Sequence, residues 1–270
     1  MEPRSKVVPI EEMVGAVRSG MEVAFGGGGL QRKPMALARA LARRDATDLR
    51  LVCFLAGPEA DLLIGLKKVA SVHFAFFGFD GLGLAPNFRR ARQSGDLAAT
   101  EGSEGMFLAG VEAGARGVPF HPCHSGLAGD IVALPGSPYR RFTCPVTGRD
   151  LVAAPAVNPE VFLLHVNMAD RHGNLVISGD PFLDALLARA SGSVFATAER
   201  IVDELPRDLT QHDTVISRVW VSGVCWAPGG TGFTGCYPDR VLDWHAGLEY
   251  QQRCGDPGWL EQYAAEGVPA

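Results

Sequence analysis

Residues 21–44 read MEVAFGGGGLQRKPMALARALARR, and their reading decides the fold. Val23, Ala24 and Phe25 can form a buried strand. Gly26, Gly27, Gly28 and Gly29 then break it, and Pro34 stands where the first turn of a helix accepts it. Residues 35–44 are strong helix formers. Arg39, Arg43 and Arg44 fall at the helix end where the macrodipole favours cations. Strand, glycine loop and helix together bring backbone N–H groups up to an anionic or polarised ligand. Arg32 and Lys33 add positive charge beside the loop, so Gly26, Gly27, Gly28, Gly29, Arg32 and Lys33 are the candidate substrate-binding residues. No Gly-Lys-Ser/Thr follows, so this is not a P-loop, and Gln31 stands where a dinucleotide fingerprint needs a third glycine. A tight connection with no ligand is the plain alternative.

Outward from this stretch, apolar runs alternate with helical segments. Residues 49–55 (LRLVCFL), 71–77, 161–166 (VFLLHV), 193–198 and 215–221 read as strands. Residues 10–20, 61–67, 87–94, 104–115 and 181–190 read as helices, and a polar helix closes the chain. Such alternation predicts an α/β fold, an open, mainly parallel sheet sandwiched by helices. The 270 residues are expected to make a single domain, with the Pro-, Gly- and Arg-rich stretch 135–152 as a loop excursion.

Net charge is −5 with no basic stripe, which argues against nucleic acid as a partner. No apolar run is long enough for a membrane span, and the charged N-terminus lacks a signal-peptide core, so a cytoplasmic location is expected. The six cysteines form no CxxC pair and read as reduced thiols, with neither a disulfide frame nor a zinc site.

The densest chemical candidate is residues 100–106, TEGSEGM, with Glu101 and Glu104 three apart at the start of a helix. Flanking glycines let a ligand approach, and a carboxylate here can act as nucleophile or general base. The same pattern is a capping box with Thr100 or Ser103 as cap, which is its commoner use. His121-Pro-Cys-His124 invites a metal reading, but no second cluster completes a tetrahedral site. His165 and His172 flank a hairpin signal in which Asp170, Gly173 and Asn174 are natural turn residues.

Several segments in shared order resemble the α subunit of family I CoA-transferases, the group that includes glutaconate CoA-transferase. They are GGGGLQRKP, Gly117-Val-Pro-Phe, Ala169-Asp-Arg-His-Gly-Asn, Ala227-Pro-Gly-Gly and, loosely, Glu101-Gly-Ser-Glu-Gly. Gly28 and Arg32 depart from that signature. Arg32-Lys-Pro-Met, Gly57-Pro, Glu104-Gly-Met and Asp180-Pro-Phe look closer to the α subunit of the steroid ring-opening CoA hydrolase, a branch acting in bacterial sterol degradation.

The resemblance implies an α subunit active with a β partner, as an α2β2 heterotetramer on an acyl-CoA substrate. No cofactor is implied beyond the CoA of the substrate. In the hydrolase branch Glu104 matches the essential carboxylate, with Glu101 as near alternative. In the transferase reading the nucleophilic Glu belongs to the β subunit. A non-catalytic acyl-CoA-binding protein is the third possibility.

Overall fold

The apolar runs become neighbouring parallel strands. The structure, a computed structural model, describes residues 4–266. β1 (Glu22–Gly28), β2 (Leu49–Ala56), β3 (Val69–Phe77) and β4 (Ala98–Glu101) lie side by side, all parallel. On the other side of β1 come β8 (Val161–Asp170), β10 (Ser193–Val202) and β12 (Gly223–Trp226), also parallel. β9 (Leu175–Ser178) folds back antiparallel on the end of β8, and β11 (Asp213–Ile216) pairs antiparallel with β9. The result is a nine-stranded, mainly parallel sheet.

Alternation along the central strands sends apolar side chains to both faces. Val23, Phe25, Leu51 and Cys53 enter one core, and Ala24 and Val52 the other. The first core is covered by α1 (Ile10–Gly15), α2 (Met35–Ala42), α3 (Pro58–Gly65), α4 (Pro86–Ser94), α7 (Trp244–Arg253) and α8 (Pro257–Ala265). The second is covered by α5 (Glu104–Arg116) and α6 (Asp184–Ala190). Each large apolar side chain so buried contributes about 1.5–3 kcal/mol. The open α/β sandwich expected from the sequence is the fold observed.

Three expectations change in detail. The first helix ends at Gly15, and Gly20, with φ +79°, sits in the turn before β1. Residues 215–221 are not one strand: β11 ends at Ile216, a turn follows, and β12 starts at Gly223. The stretch 135–152 is not all loop. β5 (Phe120–Cys123), β6 (Arg140–Thr143) and β7 (Asp150–Pro155) form a separate antiparallel sheet in the order β5-β7-β6. Tyr139, Val152 and Ala154 pack there against Met106 and Ala109 of α5, which joins the small sheet to that helix.

Candidate active site

The parallel strands β1 to β4 end on one edge, where a crevice outside their carboxyl ends is the usual ligand position in open α/β sheets. Phe25, Cys53, Phe74 and Glu101 stand in one row across this edge. At about 4.8 Å per strand, the row puts Glu101 roughly 14 Å from the glycine loop. The two candidate groups therefore share an edge without touching.

The glycine loop is bound into the protein. Gly27 N–H donates to Asp184 Oδ1 and Oδ2 at 3.1 and 3.3 Å, Gly28 N–H to Gln31 O at 3.0 Å, and Gly29 N–H to Leu55 O at 3.3 Å. Leu30 N–H reaches Asp80 Oδ2 at 2.8 Å. These amides already have acceptors, so the expectation that they await an anionic ligand is corrected. The glycines are needed for close approach: Gly27 has φ +70° and Gly29 φ +53°, and a Cβ on Gly29 would lie 2.2 Å from Asp80 Oδ2.

Arg32 and Lys33 are likewise internal. Arg32 is 2% exposed and pairs with Asp184 at 2.6 Å, while its Nη2 donates to Asp180 O at 2.8 Å. Lys33 is fully buried, with Nζ 3.0 Å from Glu59 Oε1 and 2.5 Å from Leu55 O. Both charges are neutralised by buried acids, so the geometry makes them staples holding the loop to α6 and α3. That corrects their reading as charges offered to a substrate.

Glu101 and Glu104 are both exposed. Glu104 is the first residue of α5, and among the described residues its carboxylate has no ion pair and no hydrogen bond. Ser103 caps the helix, its Oγ accepting from Met106 N–H at 3.3 Å. The capping reading thus holds for Ser103 and leaves the Glu104 side chain available.

Beneath this turn lies a brace that the sequence did not reveal. Tyr139 is buried against Gly102, where a Cβ would lie 2.3 Å from the hydroxyl, and that hydroxyl is hydrogen-bonded to His73 Nε2 at 2.8 Å. Burial lowers the His73 pKa to about 4, so the ring is neutral. Gly105 abuts Ser125, with room for no Cβ at 2.1 Å from its Oγ. Glu104 is held between two close-packed glycines.

A second polar cluster sits midway along β8 and β10. His165 Nδ1 pairs with Thr197 Oγ1 at 2.9 Å and its Nε2 with Glu199 Oε1 at 3.2 Å. Glu199 also accepts from Gly229 N–H at 2.9 Å and faces Arg240 Nε at 3.4 Å. Burial pushes the Glu199 pKa up, but the hydrogen bonds from His165 and Gly229 outweigh it and hold the carboxyl below its ordinary range. His165, Glu199 and Cys236 offer donor atoms within 4.8 Å of one another. However, Arg240 already supplies the cation, and burial pushes the Cys236 thiol up to about 12. The set fits an ion-pair network better than a metal. His121 and His124, by contrast, do not converge with it: His121 faces Glu112 at 3.6 Å.

A family model described as coenzyme A transferase matches residues 7–221. The chain belongs to the coenzyme A transferase family. It is 38% identical over 271 residues to the IpdA subunit of the cholesterol ring-cleaving hydrolase of Rhodococcus jostii, covering 97% of this chain and 91% of that one. Among solved structures it resembles glutaconate coenzyme A-transferase from Acidaminococcus fermentans, with TM-score 0.88, 25% identity, and 98% and 89% of the two chains covered. It also resembles a variant of the decarboxylase AibA/AibB, with TM-score 0.83, 28% identity, and 97% and 100% covered. As a member of the coenzyme A transferase family related to the ring-cleaving hydrolase subunit, the chain carries the family resemblance read from its motifs.

Proposed function

We propose that this chain is the α subunit of a hydrolase that opens a carbon–carbon bond in a cyclic β-diketone CoA thioester, with Glu104 as general base. The observation that carries the reading is the free carboxylate of Glu104, seated before Gly105-Met106 at the carboxyl edge of the sheet. Near full-length similarity to a cholesterol ring-cleaving hydrolase subunit supports it. That relative is named as a subunit, which supports a β partner for this chain.

In this mechanism Glu104 takes a proton from water, and the hydroxide adds to a ring carbonyl. The tetrahedral alkoxide collapses, the ring carbon–carbon bond breaks, and the electron pair leaves as an enolate. The proton held by Glu104 returns to that carbon, giving one new carboxylic acid and one ketone. First-turn N–H groups of α5 not taken by Ser103 are the donors that would favour developing negative charge at the helix start. The glycine loop, its amides already used, acts by fixing the edge.

CoA transfer is the second reading, favoured by the likeness to glutaconate CoA-transferase. The test is turnover by the chain with its β partner in water enriched in heavy oxygen. The hydrolase reading expects one heavy oxygen in the new carboxylate with the thioester intact. Movement of CoA to an acceptor acid, with a glutamyl–CoA adduct on the β partner, replaces it with the transferase reading.

A further inference from the structure

A cavity of about 580 Å³ opens between α2, α7, α8 and the turn at residues 229–233. It lies on the opposite face of the main sheet from α5. Arg39 of α2 lines it, 9% exposed, and its Nε has no hydrogen-bond partner among the described residues. The guanidinium stacks on the Tyr263 ring at 3.7 Å, which fixes its plane and leaves Nε without an acceptor. The Tyr263 hydroxyl, also in the wall, is buried and makes no hydrogen bond of good geometry among the described residues.

Of the other charges in the wall, Glu266 is exposed and accepts from Gln262 Nε2 at 3.5 Å, and the rest are occupied. Arg253 pairs with Glu249 at 2.9 Å, Arg240 faces Glu199 at 3.4 Å, and Asp243 caps α7 through Ala246 N–H at 3.1 Å. Tyr263 in turn stacks on Trp259 at 5.1 Å, and Arg253 covers Trp259, so the wall is a braced ladder of rings and guanidinium groups. Buried donors without acceptors are costly, and most such groups in native proteins have a partner. A guanidinium fork beside a hydroxyl donor matches a carboxylate or phosphate, and the cavity has the size of a small-molecule site.

We propose that this cavity binds a small anion bearing a carboxylate or phosphate, held by Arg39 and Tyr263. The site is separate from the Glu104 edge and does not depend on the hydrolase reading. The ligand is either a free anion or the phosphate end of a nucleotide such as coenzyme A.

The test is calorimetric titration of the full chain, alone and with its β partner, with inorganic phosphate, succinate and coenzyme A. Saturable binding of at least one is expected, weakened about 10- to 100-fold in Arg39→Gln, as loss of a charge-assisted pair implies. Tyr263→Phe weakens it less, and turnover at saturating substrate is kept in both. Arg39-dependent binding of coenzyme A alone assigns a nucleotide phosphate; binding of phosphate or succinate assigns a free anion. Should Arg39→Gln fail to fold, Arg39→Lys keeps the charge but loses the fork, and is expected to weaken binding. No saturable binding of any of the three, or binding unchanged by all three substitutions, overturns the proposal.

Discussion

Removing Arg32 tests whether the charges beside the glycine loop belong to the fold. Its partner Asp184 lies 2.6 Å away, and the two side chains are 3% and 1% exposed. Arg32→Ala strands a buried carboxylate that also accepts from Gly27 N–H at 3.1 Å. Breaking a buried pair from one side costs about 3–5 kcal/mol. Against a typical stability of about 5–15 kcal/mol, that is a large share. At about 2–4 °C per kcal/mol for a chain of this size, the melting midpoint should fall by roughly 6–20 °C. The assay is thermal unfolding of wild type, Arg32→Ala, Asp184→Ala and the double variant. The double variant should lose less than the sum of the singles, because neither charge is then left alone. A midpoint within about 1 °C of wild type, with kcat/KM down tenfold or more, would refute this reasoning and return Arg32 to the substrate.

Further outcomes follow from the same geometry. Tyr139→Phe removes the hydroxyl hydrogen-bonded to His73 Nε2 at 2.8 Å; loosening the Glu104 turn should lower kcat with KM nearly unchanged, at a stability cost of about 1–3 kcal/mol read by denaturant titration. Asp61 is buried under α4, accepting from Asn87 and Phe88 N–H at 2.9 Å, and burial raises its pKa from 3.8 to about 6 despite those bonds. Folding then favours the protonated form, so its stabilising contribution is full below about pH 4 and is lost as pH rises to about 6. The stability of wild type minus Asp61→Asn should fall by up to about 3 kcal/mol across that window and stay flat above it; no change across it would remove Asp61 from the pH dependence. Gly29→Ala should destabilise through its φ of +53° and the Asp80 contact, visible as a lowered melting midpoint.

The sequence made the main sheet legible because strands buried on both faces must be largely apolar, as residues 49–55 and 161–166 are apart from Arg50 and His165. Gly117 also marked the end of α5, where it adopts φ +68°. What escaped depends on tertiary contacts. β6 (RRFT) opens on two arginines and β7 (DLVAAP) ends on Pro155, both short, and their small core depends on Met106 and Ala109, which come earlier in the chain. Residues 217–220 look strand-like, but Arg218 N–H bonds Asn174 Oδ1 at 3.0 Å in a turn, and Val219 stays 76% exposed.

The site was half visible. Glu101 and Glu104 stood out by spacing, whereas the burial of Arg32 and Lys33 could not be read from neighbours of mixed polarity. Their partners Asp184 and Glu59 did leave a trace, as acids in the first turns of otherwise largely apolar helices. Tyr139 and Glu199 left none, because Tyr139 meets His73 through packing of the small sheet beside α5 and Glu199 meets His165 through pairing of β10 with β8.

The most direct measurement is the rate of ring opening by Glu104→Gln paired with wild-type β partner, on a cyclic β-diketone CoA ester. Glutamine keeps the shape and the exposed position but cannot take a proton. The account predicts a fall in kcat of about 10²–10⁴-fold, with substrate affinity kept and the melting midpoint unchanged. A rate near wild type in a folded variant would contradict it.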